Sequence, residues 1–404
     1  MKRILEVALG LVTSIGGFLE IGSITTAAQG GAAFTFQLGW AVLLGTICLA
    51  LLLEMSGRLA AVSNHTIVDA IRERFGFPFS LFPSVIVLVV SFLVMASELG
   101  GVALALQFVT GIGIRWWALP IAAVAWLLLW KGTFGMVEQG VSLLGLVTLV
   151  FLVGAIKLHP DWGAVAHGLV PTMPSHEPAH YWFIAVSILG ASISPYLFIF
   201  YSSGAIEDKW DSSYLPINRI TAGVGTLFGG ALSLMVLVVA GAVLVPRGIQ
   251  VDSVQQVALL LTHVLGRWGF ILVVASLAIG PFGAVAEIAL ASGYIAAEEL
   301  GWNWSEDIAP RDAARFSTFY TVLVFLSVIP IVLGLDPLKL TMISMVLTAA
   351  SLPVSVVPFL LLMNDERYVK EHKNGWIGNT AVALIVLMSC VLAVVSIPLQ
   401  FMGG

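Results

Sequence analysis

Charge is scarce in this chain. Asp, Glu, Lys and Arg make up only 10% of its 404 residues, where an average soluble domain carries about 25%. That deficit excludes a secreted enzyme, a nucleic-acid binder and a disordered chain, all of which need far more polar surface. Cysteine is equally sparse. The two present, Cys48 and Cys390, sit in separate apolar runs and suggest neither a disulfide framework nor a zinc site. A His-Glu-x-x-His zinc motif, a Gly-x-Ser-x-Gly elbow and a phosphate loop are all missing. No His falls at membrane depth where it could activate a serine, so a membrane enzyme is not the expected class. Absence of any large extramembrane segment argues equally against a receptor. The formal net charge of −5 says little, because the side of a bilayer on which each charge falls matters more than the total.

Apolar sequence is what the chain has in quantity. Hydrophobic residues make up 59% of it, and apolar runs recur from end to end, the pattern of a polytopic helical membrane protein. Eleven spans are predicted, at about 5–30, 36–61, 80–110, 115–130, 135–157, 180–203, 218–245, 257–297, 314–334, 338–362 and 376–400. Met1, Lys2 and Arg3 ahead of an apolar stretch have the form of a signal peptide. The stretch runs on too long, however, and no small-residue cleavage site closes it, so it reads as the first span. The longest connection, about 158–179, holds Pro160, Pro171, Pro174 and Pro178 and reads as loop. No soluble domain fits between spans, so residues 1–404 read as a single transmembrane domain. With the N-terminus inside, 13 of the 18 Lys and Arg fall on the cytoplasmic side. The positive-inside rule then predicts a cytoplasmic N-terminus and an external C-terminus.

Two spans are interrupted in the same way. The first reads Ser14-Ile-Gly-Gly-Phe-Leu-Glu-Ile-Gly-Ser-Ile-Thr-Thr26, and the sixth reads Leu189-Gly-Ala-Ser-Ile-Ser-Pro-Tyr196. Small residues also serve ordinary helix packing, and either interruption alone reads that way. The pair opens two successive groups of five spans, about 5–157 and 180–362, with an extra span at about 376–400. Matching interruptions in two halves point to an inverted repeat with broken helices around a midplane site. Unwound backbone is tolerated at that depth only where it lines a cavity or is buried in protein.

Three acids are placed at membrane depth: Glu20 in the first span, Glu98 in the third and Glu287 in the eighth, with no Lys or Arg at mid-span. A buried carboxylate needs a proton, water or a cation, and the lack of basic partners favours a cation pathway. Glu20 and Ser23 are one turn apart. With the Ala191 carbonyl and the Ser194 hydroxyl they would make an all-oxygen cluster suited to Mg²⁺, Ca²⁺ or Mn²⁺. The seven histidines fall in loops or near span ends and read as solvated or interfacial.

These residues resemble the NRAMP metal transporters. Gly17-Phe-Leu-Glu-Ile-Gly-Ser-Ile-Thr-Thr-Ala-Ala-Gln-Gly-Gly-Ala-Ala-Phe34 is similar to that family's first span, with Glu20, Ile21, Gly22 and Ser23 where the family has Asp-Pro-Gly-Asn. Leu51-Leu-Leu-Glu-Met-Ser-Gly-Arg-Leu59 is similar to the end of its second span. Ala191 to Tyr196 follows its sixth-span pattern Ala-x-x-Met-Pro-His, and Val346–Val354 with Pro358–Asp365 is similar to its tenth span and exit. The resemblance implies a LeuT-type all-α fold with metal bound between spans 1 and 6. It also exposes departures. The family's thioether is Ser194 here, its span-3 acidic pair maps onto Glu98 and Gly101, its two sixth-span histidines onto Tyr196 and Tyr201, and its polar tenth-span residue onto Met345. Losing the soft ligand and the titratable groups looks like the NRAMP-related magnesium transporters of prokaryotes. The resemblance therefore implies a divalent-cation transporter with metal ligands Glu20, Ser23, Ala191 and Ser194. Tyr196, Glu98 and Glu287 would lie on the pathway or behind the ligands. Mg²⁺, with Mn²⁺ also accepted, would cross as transported ion and not as cofactor, weakly or not coupled to protons, and no protein partner is called for. The alternative is an amino acid or other small organic substrate in the same broken-helix architecture.

Overall fold

The computed structural model describes residues 19–131, 145–174, 176–306 and 308–401. Among them every regular element is helical. Eight helices are long and apolar enough to cross a membrane, and Ile114–Trp130 and Leu146–Leu158 are shorter apolar helices. Ile21–Phe34 supplies the described part of the first span. These elements fall on the eleven expected spans. The opening of the first span and the start of the fifth, residues 132–144, lie outside the described residues.

The helices are apolar on every side, as expected of segments surrounded by lipid and by one another. Many hydroxyls inside them are satisfied within the helix. Thr46 donates to the Val42 carbonyl at 2.7 Å, Thr341 to Pro337 at 2.7 Å and Thr348 to Ser344 at 2.8 Å. A hydroxyl bonded back one turn leaves no polar group facing lipid.

Four features depart from the sequence reading. The third span runs Phe77–Thr110 and the eighth Thr262–Leu300, 34 and 39 residues. At 1.5 Å per residue the eighth reaches about 58 Å, well past a hydrocarbon core of about 30 Å, and it kinks at Gly266 (φ 60°). The connection expected to be loop contains a short helix, Trp162–His167, because the Asp161 side chain accepts from the Gly163 and Ala164 N–H groups and caps it. Between the second and third spans a further helix, Ile67–Phe75, is capped by the Thr66 hydroxyl.

Some of the residues assigned to the cytoplasmic side lie against one another. Arg58, at the end of the second span, donates to the His372 carbonyl at 2.5 Å and to Asn374 at 2.6 Å. Arg74 pairs with Asp365 at 3.0 Å. None of the seven histidines is buried.

Candidate cation site at two helix breaks

The sixth-span interruption is a break between two helices, and the described part of the first span leaves the helical region at Glu20. Glu20 is extended (φ −84°, ψ 172°), and helix begins only at Ile21. In the sixth span, helix Pro178–Ser192 stops, Ile193 (φ −121°, ψ 77°) and Ser194 (φ −85°, ψ 117°) leave the helical region, and Pro195–Glu207 resumes. Proline explains the second break. In a continuous helix the Ala191 carbonyl would accept from residue 195, which has no N–H. That carbonyl is therefore left available for a ligand.

The two breaks meet. Glu20 is 2% exposed. The Tyr196 hydroxyl, in the first turn after the sixth-span break, donates to Glu20 Oε2 at 2.9 Å, and the Ser194 side chain is within hydrogen-bonding reach of the same carboxylate. Ala191, Ser194 and Ser23 are all buried beside these breaks.

Glu98 approaches from the third span. Its Oε2 accepts from the Ile21 N–H at 3.0 Å, and the Gly22 N–H is also directed at it. The first N–H groups of a helix have no partner within the helix, and negative charge is favoured there. Glu98 therefore holds the start of the resumed helix, acting as its cap from 77 residues away. Ser23 Oγ and Glu98 Oε1 are buried with no hydrogen-bond partner among the described residues. Glu20 and Glu98 feel each other's charge, and the first, third and sixth spans carry no Lys or Arg, while the eighth has only Arg267 near its start. Two buried acids with unpartnered oxygens nearby make an arrangement that positive charge would stabilise. Among the described residues no three His, Cys, Asp or Glu side chains converge, so carbonyl and hydroxyl oxygens would have to complete any coordination shell.

The remaining expected residues are placed as follows. Glu287 is half-buried in the eighth span, within electrostatic range of the Tyr196 hydroxyl. Met345 is fully buried, its thioether packed against Gly22. Tyr201 is not in the site; its hydroxyl donates to Asn218 Oδ1 at 3.0 Å. Gly101 faces the Ile21 side chain, which would lie 2.9 Å from a β-carbon there. A side chain at 101 would press on Ile21, whose side chain would have to shift to admit it.

Sequence reasoning missed Glu298 and Glu299. They directly follow a span predicted to stop at about 297, and only Glu20, Glu98 and Glu287 are placed at membrane depth by the sequence. The helix continues to Leu300, and both are buried. The signal was present, since no helix breaker occurs before Gly301 (φ 67°). Nearby, burial pushes the Asp69 carboxyl above the usual carboxylate range, more than the Thr66 hydrogen bond and the charges of His65 and Arg72 pull it down.

A membrane bundle all-helical among the described residues, whose sixth-span break faces the start of the Ile21–Phe34 helix, has the LeuT-type fold. The family model for natural resistance-associated macrophage protein-like (Nramp) proteins matches residues 10–398, and the chain belongs to that family. The divalent metal cation transporter MntH of Deinococcus radiodurans is 25% identical over 371 residues, covering 89% of this chain and 82% of its own. MntH of Caldanaerobacter subterraneus subsp. tengcongensis is 23% identical over 372 residues, covering 88% and 83%. The crystal structure of the Eremococcus coleocola manganese transporter superposes with a TM-score of 0.76 at 20% identity, covering 98% of this chain and 87% of that one.

Proposed function

We propose that this protein moves a divalent metal cation across the cell membrane of a prokaryote, and that it is a transporter and not an enzyme. Mg²⁺ is the preferred ion and Mn²⁺ is also accepted. The observation that carries the reading is Glu20, buried at the meeting point of two broken helices among neutral oxygens. Relatives named as divalent metal cation transporters support the substrate class.

Glu20 supplies the charge, and Ser23, Ala191 and Ser194 supply neutral oxygens. Mg²⁺ dehydrates reluctantly and keeps several waters, so one carboxylate with neutral donors suffices for it. Ser194 stands where a thioether would favour softer metals. Glu98 shapes the site from behind, and Glu287 lines the aqueous approach. Coupling to protons is weak or absent, because Gly101, Tyr196 and Tyr201 occupy positions where the family resemblance places titratable groups. The membrane potential drives entry, at about 4.6 kcal/mol per divalent ion per 100 mV. Access alternates as spans 1 and 6 rock against a scaffold of spans 3, 4, 8 and 9. The same reading takes 1–404 as one transporter domain, with repeats at about 5–157 and 180–362 and the added span at about 376–400. It sets the N-terminus inside and the C-terminus outside, and requires no protein partner.

Uptake into proteoliposomes with a Mg²⁺-sensitive dye tests it. Uptake in wild type and none in Glu20→Ala is the expected result. No uptake at all, or uptake untouched by Glu20→Ala, overturns the reading. Internal acidification in step with influx would overturn the uncoupled mechanism. Ser194→Met should shift preference from Mg²⁺ toward Mn²⁺ in competition assays.

A further inference from the structure

Glu298 and Glu299 have no part in the mechanism above. They are chain neighbours, 1% and 2% exposed, but their surroundings differ. Glu299 is satisfied: Ser80 donates to Oε1 at 2.5 Å and Ser84 to Oε2 at 2.8 Å. Glu298 is not. Ser203 donates to its Oε1 at 2.7 Å, while Oε2 is buried with no hydrogen-bond partner among the described residues. The helix Ile67–Phe75 packs against the eighth span here, which brings the half-buried Asp69 carboxylate and the Thr66 hydroxyl within electrostatic range of Glu298. Glu299 adds negative charge on the Asp69 side, against His65 and Arg72.

The positive groups are engaged elsewhere. Arg72 donates to the Glu298 main-chain carbonyl at 3.2 Å and its guanidinium lies over the Phe77 ring, 5.8 Å from the centroid. It thus closes the C-terminal end of the eighth span, where the helix dipole favours a cation. His65 sits 2.9 Å from Glu73. A buried carboxylate with an open oxygen, a second carboxylate beside it and two hydroxyls offer a set of hard oxygen donors.

The cluster is in line with Glu20. Tyr196, the donor to Glu20, and Ser203, the donor to Glu298, are seven residues apart in one helix. Seven residues are two turns, so both project from one face about 10 Å apart. Glu287 and Glu298 are eleven apart in the eighth span, about three turns and again one face. These two helices pack against each other, and each carries polar oxygen at both levels.

We propose that Glu298, Asp69, Ser203 and Thr66 form a second divalent-cation station at the inner end of the eighth span, receiving the ion after it leaves Glu20. The assignment rests on the reading of the chain as a divalent-cation transporter. The ion bridges the two carboxylates, takes neutral oxygen from Ser203 and Thr66, and regains water through the exposed side of Asp69.

Mn²⁺ binding to the full-length protein in detergent, counted by calorimetry and by loss of the free-ion electron paramagnetic resonance signal, tests it. Two Mn²⁺ per chain are expected in wild type, one in Glu298→Gln, one in Glu20→Gln and none in the double variant. A single Mn²⁺ in wild type, lost in Glu20→Gln and kept in Glu298→Gln, overturns the second station and leaves the proposed function standing. A single Mn²⁺ lost only in Glu298→Gln upholds the station and overturns the Glu20 reading. Ser203→Ala keeps both carboxylates and guards against misfolding. It should weaken one of the two Mn²⁺ sites about tenfold, the scale of one hydrogen bond to a charged group. Unchanged affinity at both sites overturns the proposal.

Discussion

Glu98 joins two requirements in one side chain, an acid at membrane depth and a cap for a helix that starts there. Alanine at 98 leaves the Ile21 N–H buried and unpaired, a loss of about 1–3 kcal/mol. Glutamine keeps an acceptor and removes the repulsion with Glu20. Thermal unfolding in detergent should therefore place Glu98→Ala clearly below wild type and Glu98→Gln near it. Equal melting temperatures for all three would remove the capping role. Asp69 gives a pH test. Its carboxyl titrates higher in the folded chain than its ordinary value of 3.8, so the folded state binds the proton more tightly. Folding is then favoured at low pH and weakens as pH rises past about 4. Asp69→Asn should melt above wild type at pH 7 in metal-free buffer, with the gap closing toward pH 4. A gap that widens on acidification would contradict this.

At the scale of helices, the sixth span is held by close contact with the tenth. A β-carbon on Gly190 would lie 1.8 Å from the Met345 carbonyl oxygen, which is backbone and cannot step aside. On Gly22 it would meet the Met345 Cε at 2.5 Å, the end of a flexible side chain. Overpacking costs about 1–3 kcal/mol, and more where backbone must shift. Gly190→Ala should lose monodisperse protein on size exclusion, while Gly22→Ala should keep it. Identical behaviour of the two would show that this contact does not set the packing. Existence and position of these helices were legible in the hydropathy, and so was the sixth-span break, because Pro195 removes the N–H that Ala191 would need. Their mutual rotation was not, because helices apolar on all sides carry no stripe to say which face turns inward.

At the scale of the molecule, Arg58, Arg74 and the segment Asp365–Asn374 lie together, and the orientation reading makes their end cytoplasmic. A single cysteine at Lys370 in a variant lacking Cys48 and Cys390 should react with an impermeant maleimide only after inside-out vesicles are made. Labelling from intact cells would invert the topology. The sequence by itself determined the solvent, the spans and the two breaks, because hydropathy, charge asymmetry and proline act locally along the chain. Only the tertiary structure decided which oxygens meet. Tyr196 reaches Glu20 across 176 residues, Glu98 reaches Ile21 across 77, and Ser203 reaches Glu298 across 95. Each pairing depends on the register and rotation of packed helices, which follow from side-chain and backbone fit at every contact together and leave no local mark in the sequence.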